Sequence, residues 1–466
     1  MSTDCLHIFV DGEYAGDLRR SSDGGLSLRY DDQWLRNEGA PVSLRFPTYK
    51  QIHTNESDSL YNFLDNLLPE NTIVRKQVAE RFSHEVQSTN PFELLKAVGE
   101  DCPGALQFVP EGESPRMTGE KEPVGDEDLV KEIHRLMNQD PQHPMGMNER
   151  FRFSLAGQQA KTALLYEDGQ WYRPQGGVPT THILKPPIVS KNVKKTSANE
   201  YFCMRFAYHL GLQVPNVDLH SFDDIWVLIV ERFDRIRKAD RIHRIHQEDL
   251  CQALGFGPNS KYEHPRDNKQ EMENILSHPG PSFLDCLQIA GEGQNPRGDQ
   301  RRFLSAQVLF WLLGATDGHA KNFSIQYNNR DNQLPGNAYH LAPLYDILSE
   351  APRKYRHESA GRSQMYSSES TYYPLRLAMS VGAEPDLEKR CFLIDKLSPE
   401  DFIEMSSVTN LTRDEIQSIF VGLDQKIDKA IQHTMDDLPD GFPSFVSEQI
   451  SNHVKKQQSV VNEFLD

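Results

Sequence analysis

The segment 301–313 carries apolar side chains on nearly every face of a helix, among them Phe303, Leu309 and Trp311. A helix that is hydrophobic all round is buried in the core of a large fold. Gly314 follows at once, and glycine is the residue that most often ends a helix. The sequence therefore predicts a buried helix that ends at Gly314 and leads into a loop.

This loop carries two polar residues, Asp317 and Asn322, five positions apart. Catalytic loops of protein kinases use the same spacing, in which the Asp accepts the proton of the attacking hydroxyl and the Asn binds Mg²⁺. Asp and Asn are also common loop residues that hydrogen-bond to their own backbone. The spacing alone leaves both interpretations open.

A second carboxylate follows a strand-like run further along the chain. Residues 339–348 read as a strand, a proline and then Leu344, Tyr345, Asp346 and Ile347. Kinases keep a metal-binding Asp after a strand at the corresponding point. A turn or the N-cap of a helix is the alternative for Asp346.

A lysine and a glutamate upstream could form the ion pair of a kinase. Lys185 ends the strand-like run His182–Lys185, as does the kinase lysine that pairs with nucleotide phosphates. Ser197 and Glu200 form a capping-box pattern that opens a helix running to Gly211. Glu200 either caps this helix or pairs with Lys185. The alternative for Lys185 is an ordinary lysine on an edge strand.

Two further segments could contact a nucleotide. The small-residue loop Ser154–Lys161 lies between the strand-like runs Arg152–Leu155 and Thr162–Tyr166, so its N–H groups could approach phosphate oxygens. It matches no generic phosphate-loop pattern, and a plain hairpin is the alternative. The apolar run Val227–Phe233 predicts a strand whose last residues could offer backbone groups to adenine, although any buried strand has this composition.

The order of these pieces is more informative than any one of them. Six features follow one another in the order found in protein kinases. They are the small-residue loop, the strand lysine, the helix glutamate, the linking strand, the Asp–Asn pair and the aspartate after a strand. Chance agreement of all six is far less likely than chance agreement of one. The sequence therefore favours a two-lobed phosphotransferase.

The composition bounds the class of protein. The chain has 466 residues, which at roughly 100–200 residues per domain predicts two to four domains. Its 50 basic and 68 acidic residues give a net charge of −18, which argues against a protein that coats DNA. The six cysteines form no CxxC pair, and no secretory signal or apolar run of about 20 residues is visible. We therefore expect a cytoplasmic protein without membrane contact.

Changes of pattern along the chain predict an α+β fold. The expected parts are an N-terminal α/β module, a connector, a strand-rich kinase N-lobe, a helical kinase C-lobe and a tail, with the bounds 1–112, 113–148, 149–235, 236–440 and 441–466. In the first module, strands are expected at Leu6–Val10 and Leu26–Tyr30 and helices at Leu60–Leu68 and Pro91–Val98. The pair Asp11 and Gly12 predicts a two-residue hairpin turn after the first strand. The connector holds one expected helix, Asp126–Met137.

Seven stretches, spread through a similarity that runs from about residue 5 to 440, are familiar from one family. They are FLDNLLP (63–69), FSLAGQQAKTALL (153–165), THILKPP (181–187), VERFDR (230–235), QEDLCQ (247–252), GATDGHAKNFS (314–324) and LYDI (344–347). In these stretches the chain resembles the HipA family of serine/threonine kinase toxins. The stretch 314–324 is the most specific of them.

The resemblance implies a kinase that uses ATP and Mg²⁺, with a role for each matching residue. Asp317 would be the catalytic base, and Asn322 and Asp346 would hold Mg²⁺. Ser154 matches the autophosphorylated serine of the family, whose modification ejects the phosphate-binding loop, and Glu200 is a candidate partner of Lys185. The residues expected to contact ATP are Ala156, Gly157, Gln158, Gln159, Ala160, Lys161, Lys185, Glu231, Arg232, Phe233, His319 and Asn322.

The resemblance also implies partners. Family members are toxins of two-gene operons, bound by a dimeric HipB-like helix-turn-helix antitoxin, and their known protein substrate is glutamyl-tRNA synthetase, whose modification arrests growth and causes persistence. Where relatives carry a basic cluster after residues 377–380, this chain is acidic over 383–388, and only Lys389 and Arg390 follow. We therefore expect it to meet operator DNA mainly through the antitoxin.

Two alternatives come from other classes. A catalytically silent, nucleotide-binding co-repressor of the antitoxin would not need Asp317, Asn322, Asp346 and Lys185, all of which are present. A metal-dependent hydrolase would use His319, which lacks a histidine or cysteine partner at metal-ligand spacing. The sequence favours the active kinase over both.

Overall fold

The computed structural model of the chain describes residues 4–138, 154–188, 195–238, 241–263, 280–327, 338–352 and 374–466. Two compact units make up the chain. The first comprises residues 1–186, 220–261 and 324–342, and the second comprises residues 187–219, 262–323 and 343–466. Helices and sheets occur in both units, so the predicted α+β class is confirmed.

The first unit begins with an antiparallel five-stranded sheet. Its strands, in spatial order, are Ile52–Thr54, Leu26–Tyr30, Glu13–Arg20, Asp4–Val10 and Leu106–Pro110. The predicted hairpin turn is confirmed, because Asp11 and Gly12 both have positive φ, as a two-residue turn between twisted strands requires. The helices around this sheet are Asp32–Arg36, Ser59–Asn66, Thr72–Arg81 and Pro91–Val98.

Two of these helices were predicted from their apolar faces. Ser59–Asn66 buries Leu60, Phe63 and Leu64 on one face, and the second predicted helix occupies Pro91–Val98. Thr72–Arg81 was not predicted, because it buries only Gln77 and Val78 and has no apolar stripe.

The first unit also holds the sheet that carries the lysine and the small-residue loop. Its six strands, in spatial order, are Val217–Phe222, Ile225–Glu231, His182–Lys185, Thr162–Glu167, Gln170–Pro174 and Lys121–Val124. The expected connector therefore contributes an edge strand as well as the helix Asp126–Asn138. The strand predicted to reach Phe233 ends at Glu231. Of the strand predicted at 152–155, residues 152 and 153 lie outside the described residues, and Ser154 and Leu155 are not in a strand.

Smaller elements complete the first unit. They are the strand pair Arg235–Arg237 and Ile242–Arg244, the three-stranded sheet of Gln247–Asp249, Ser324–Tyr327 and Tyr339–Leu341, the helix Leu250–Leu254, and the 3₁₀ turns Glu56–Asp58 and Pro258–Ser260. The region after residue 230 is thus less helical than predicted.

The second unit is built around the predicted buried helix. That helix spans Pro296–Leu313, Trp311 is fully buried, and Gly314 ends the helix with φ +63°. The other helices whose bounds lie within the described residues are Thr196–His209, Phe283–Glu292, Pro399–Ile403, Arg413–Asp436 and Ser444–Leu465. One strand pair, Arg376–Val381 with Cys391–Leu393, and the 3₁₀ turns Ala320–Asn322, Leu387–Lys389, Ile394–Lys396 and Glu404–Val408 join them.

Two expectations about this unit need correction. The segment expected to be a tail is the helix Ser444–Leu465, which packs against Pro296–Leu313 and Arg413–Asp436. The capping box proposed at Ser197 is wrong. The N-cap is Lys195, in the left-handed conformation, two residues before Ser197, so the helix begins at Thr196 and Ser197 lies inside its first turn. Among the described residues, none of the helices combines the length and hydropathy that a membrane span requires.

Candidate active site

The loop after the buried helix is tied together by its own residues. The Asn322 side-chain nitrogen donates to the Asp317 carbonyl oxygen at 2.7 Å. The His319 N–H donates to the same oxygen at 2.8 Å, and the Asn322 N–H donates to the His319 carbonyl at 2.9 Å. The loop thus fixes Asp317 and Asn322 in one local structure. Because the Asn322 amide donates through its nitrogen, its oxygen has the chemistry of a metal ligand.

The Asp317 carboxylate is accessible to solvent, whereas the His319 side chain in the same loop is not. Its side chain is 43% exposed, whereas His319 is buried. The Tyr262 hydroxyl donates to Asp317 Oδ1 at 2.6 Å, and His319 Nε2 lies 4.0 Å from that oxygen. The Asp317 carboxylate thus follows a buried helix, is exposed and accepts a hydrogen bond from Tyr262. This combination suits a general base. Sequence reasoning missed Tyr262, because no local pattern marks a residue 55 positions away in the chain.

Asp346 belongs to the same unit and has an unusual backbone. Its φ is +60°, a conformation that costs a residue other than glycine about 1 kcal/mol or more. No helix begins at Asp346, so the N-cap alternative is excluded. The Tyr345 hydroxyl donates to the carbonyl of Lys321 at 3.0 Å, which connects this segment to the loop that carries Asp317 and Asn322.

In the first unit, the small-residue loop is attached to the N-terminal module. The Glu70 N–H donates to the Gly157 carbonyl at 3.0 Å, and Pro69 forms a β-bridge with Gly157. Ser154 is fully buried, its N–H donates to the Asp101 carbonyl at 3.1 Å, and its hydroxyl donates to the Leu67 carbonyl. The strand Thr162–Glu167 that follows the loop pairs with Gln170–Pro174 and His182–Lys185, and Ser154 and Leu155 lie in no strand, so the described residues show no plain hairpin across the loop.

The same loop needs glycine at its centre. Gly157 has φ +105°, which side chains rarely adopt, and an added Cβ would lie 2.8 Å from Lys161 Nζ. Gln159 donates from its side chain to the carbonyl of Pro186, the residue that follows Lys185, at 2.9 Å. This hydrogen bond holds the loop next to the end of the strand that carries Lys185.

Lys185 lies in a central strand of the six-stranded sheet. Its neighbours are Ile225–Glu231 on one side and Thr162–Glu167 on the other, so the edge-strand alternative is wrong. The residue is only 8% exposed, and lysines are rarely so buried unless they are paired. Glu200 is also buried, but it lies in the second unit, and its ion pair with Lys185 stays a prediction.

In the segment Glu231–Phe233, the side chains and the backbone have different surroundings. Glu231 is exposed, whereas the Arg232 side chain is buried and donates to the Asp234 carboxylate and the Cys102 carbonyl. The Arg232 N–H donates to the Thr181 carbonyl at 2.8 Å, and the Phe233 carbonyl accepts from Gln326 at 3.3 Å. The guanidinium of Arg232 is therefore occupied by the protein, and a nucleotide contact at this residue would have to use its backbone.

A charged cluster that includes Arg232 joins the N-terminal module to the rest of the first unit. Its members are Asp101, Arg232, Asp234, Arg235 and Arg244, all buried. The Asp101 carboxylate accepts from Arg235 at 2.8 Å, Arg244 at 3.3 Å and Arg232 at 3.4 Å. Burial alone would raise the pKa of Asp101, but attraction to Arg235, Arg232 and Arg244 outweighs it, and the pKa lies well below its usual range. No local pattern in the sequence indicates this cluster.

Comparison with known proteins finds family models and relatives that match most of the chain. Two family models match the chain: the HipA N-terminal domain over residues 6–109 and the HipA-like C-terminal domain over residues 153–435. A candidate kinase of Sinorhizobium fredii is 35% identical over 358 residues, covering 75% of this chain and 78% of that protein. The serine/threonine-protein kinase toxin HipA of Shewanella oneidensis is 33% identical over 327 residues, covering 69% of this chain and 70% of the toxin.

A solved structure is similar over nearly the whole chain. The HipA chain in the Shewanella oneidensis complex of HipA, HipB and operator DNA superimposes with a TM-score of 0.77 and 26% identity. The match covers 98% of each chain.

Proposed function

The chain belongs to the HipA family, and from this premise we propose that it is a serine/threonine protein kinase toxin that transfers the γ-phosphoryl group of ATP to a protein hydroxyl. The observation that carries the proposal is the loop after Gly314. It presents an exposed Asp317 carboxylate, ties it to Asn322, and is linked to the Asp346 segment through Tyr345.

Each residue of this loop has a task that its chemistry fits. Asp317 accepts the proton of the attacking hydroxyl, and the loop hydrogen bonds hold it in place while it does so. The Asn322 amide oxygen and the Asp346 carboxylate are hard oxygen ligands of the kind Mg²⁺ prefers. When bound, Mg²⁺ neutralises charge on the phosphates during transfer.

The nucleotide phosphates are assigned to the first unit. The N–H groups of residues 156–161, the Lys161 ammonium and the Lys185 ammonium supply the donors and the positive charge. The Glu231–Phe233 backbone is assigned to the adenine ring. His319 completes the set of ATP contacts from the catalytic loop.

Ser154 is proposed as the site of self-inactivation. Its hydroxyl is fully buried and donates a hydrogen bond to the Leu67 carbonyl. In this conformation, the loop 154–161 therefore has no room for a phosphate on Ser154. A phosphoserine adds roughly −1.5 to −2 charges, which cannot remain buried beside a carbonyl oxygen. Phosphorylation would therefore force this loop away from Leu67 and disturb the attachment of Gly157. Since the hydroxyl must leave its site to be modified, transfer between two molecules is expected.

The proposed partners are a HipB-like helix-turn-helix antitoxin dimer, which the N-terminal module contacts, and a protein substrate in the cytoplasm. Glutamyl-tRNA synthetase is the proposed substrate, and its modification would arrest growth and produce persistence. Contact with operator DNA is assigned mainly to the antitoxin. Arg390, one of the two basic residues after the acidic segment 383–388, is buried against Glu263 at 3.0 Å and is not available to DNA.

The proposal is tested by incubating the purified chain with γ-labelled ATP, Mg²⁺ and glutamyl-tRNA synthetase, followed by phosphopeptide mapping. We expect label on the synthetase and on Ser154. Label on neither protein, with ATP bound, would contradict the kinase proposal and favour the silent co-repressor. Label on Ser154 alone would contradict only the assigned substrate.

A further inference from the structure

Tyr262 contacts the Asp317 carboxylate through a short hydrogen bond. Its hydroxyl donates to Oδ1 at 2.6 Å, the length of a charge-assisted O–H···O⁻ bond. Its ring meets the His319 ring edge to face, with centroids 4.8 Å apart and an interplanar angle of 79°. Because His319 is buried, this contact restricts the position of the tyrosine ring.

The backbone at Tyr262 is held by the next residue. The Glu263 carboxylate is buried and accepts from both the N–H and the hydroxyl of Ser380, the latter at 2.7 Å. Arg390 lies 3.0 Å from its other oxygen. These contacts to Ser380 and Arg390 fix the position of residue 263, which directly follows Tyr262 in the chain. Tyr262 is therefore attached on one side through its ring and on the other through its neighbour.

We propose that Tyr262 is a positioning residue for the catalytic base, with its hydroxyl fixing the orientation of the Asp317 carboxylate for the incoming protein hydroxyl. The hydrogen bond from Tyr262 narrows the side-chain orientations that are open to a half-exposed aspartate. A carboxylate has about four acceptor positions, so one bond from Tyr262 is compatible with accepting the substrate proton. Bases that are oriented by a third group recur in enzymes that activate hydroxyl groups. The inference rests on the proposed role of Asp317.

The test is Tyr262→Phe in the full-length chain, with initial rates of phosphoryl transfer from γ-labelled ATP to an acceptor that the wild-type chain labels. We expect kcat to fall roughly 10- to 100-fold, as for loss of orientation at a reacting group, with the KM for ATP within about twofold of wild type. Calorimetry with a non-hydrolysable ATP analogue should give full binding stoichiometry, which excludes a loss caused by misfolded protein. The matched control is Tyr201→Phe in the same unit. It removes a hydroxyl that donates to the Asp437 carbonyl at 3.0 Å and should leave kcat unchanged.

A double variant separates positioning from general structural damage. In the Asp317→Asn background, Tyr262→Phe should cause no further loss of rate, because the base that it positions is absent. Additive losses, a wild-type kcat in Tyr262→Phe, or a loss of ATP binding would each overturn the positioning role. An Asp317→Asn chain that keeps its activity would instead overturn the assignment of Asp317 as the catalytic base. A wild-type chain that binds ATP but transfers no phosphoryl group would overturn the proposed function, so these failures are distinguishable.

Discussion

The buried charged cluster offers a sharp test of how the N-terminal module is attached to the rest of the first unit. Asp101 comes from that module, and Arg232, Asp234, Arg235 and Arg244 come from the segment that follows the six-stranded sheet. Within the cluster, three guanidinium groups face two carboxylates. The variant Asp101→Asn keeps the size of the side chain and leaves one carboxylate for three positive charges.

The expected cost follows from the hydrogen bonds and ion pairs that Asp101 makes. Besides the three arginines, its carboxylate accepts from the Thr180 hydroxyl at 2.7 Å and the Thr180 N–H at 3.2 Å. Removing one partner of a buried ion pair costs about 3–5 kcal/mol, because the remaining charges stay buried without compensation. We expect Asp101→Asn to lower the free energy of unfolding by that amount, a large part of the roughly 5–15 kcal/mol typical of a domain.

Urea denaturation followed by circular dichroism measures this loss. The control is Asp428→Asn, which removes an exposed ion pair with Lys455 and should cost less than about 1 kcal/mol. Because the folded-state pKa of Asp101 is depressed, its contribution is complete above the unfolded pKa of about 4 and declines as the pH falls further. The difference between wild type and variant should therefore shrink below pH ~4. An Asp101→Asn chain within about 1 kcal/mol of wild type at neutral pH would refute the reasoning.

Two further predictions concern the proposed phosphate-binding loop, residues 154–161. Gly157→Ala should weaken ATP binding at least about 10-fold, because a side chain at φ +105° strains the loop and the added Cβ displaces the Lys161 ammonium, a proposed phosphate contact. The control Gly169→Ala, at φ +80° with open space around it, should cost only about 1–2 kcal/mol of stability and leave ATP affinity intact. Equal ATP affinities in calorimetry would contradict this role of Gly157. Ser154→Asp should lose ATP affinity because a buried charge at the Leu67 carbonyl displaces the loop, while Ser154→Ala should fold with a loss of about 1 kcal/mol and bind ATP. A Ser154→Asp chain that binds ATP like wild type would show that the loop tolerates the charge.

The parts of the site that are local in sequence were predictable. The apolar segment 301–313 and Gly314 indicated the helix and its end, because both signals lie within a few residues of one another. The turn at Asp11 and Gly12 was predictable for the same reason. In each case the backbone conformation depends mainly on neighbouring residues.

What depends on distant residues was not predictable. Tyr262 and Glu70 show no local pattern, and their contacts to Asp317 and Gly157 form only when remote segments meet. The capping box failed at Ser197 because the helix starts two residues earlier than this pattern implies, with a left-handed Lys195 as its N-cap. Its S–x–x–E pattern also fits the first turn of a helix, so pattern alone could not fix the boundary.

The measurement that tests the central proposal most directly is a single-turnover comparison of wild type and Asp317→Asn. Both chains are saturated with γ-labelled ATP and Mg²⁺, ATP binding is measured by calorimetry, and transfer of label to protein is followed over time. We predict similar ATP affinity in the two chains and a loss of transfer of about 10³-fold or more in the variant, as expected when a general base and its positioning are removed. Transfer by Asp317→Asn within about 10-fold of the wild-type rate would contradict the assignment of Asp317 as the catalytic base.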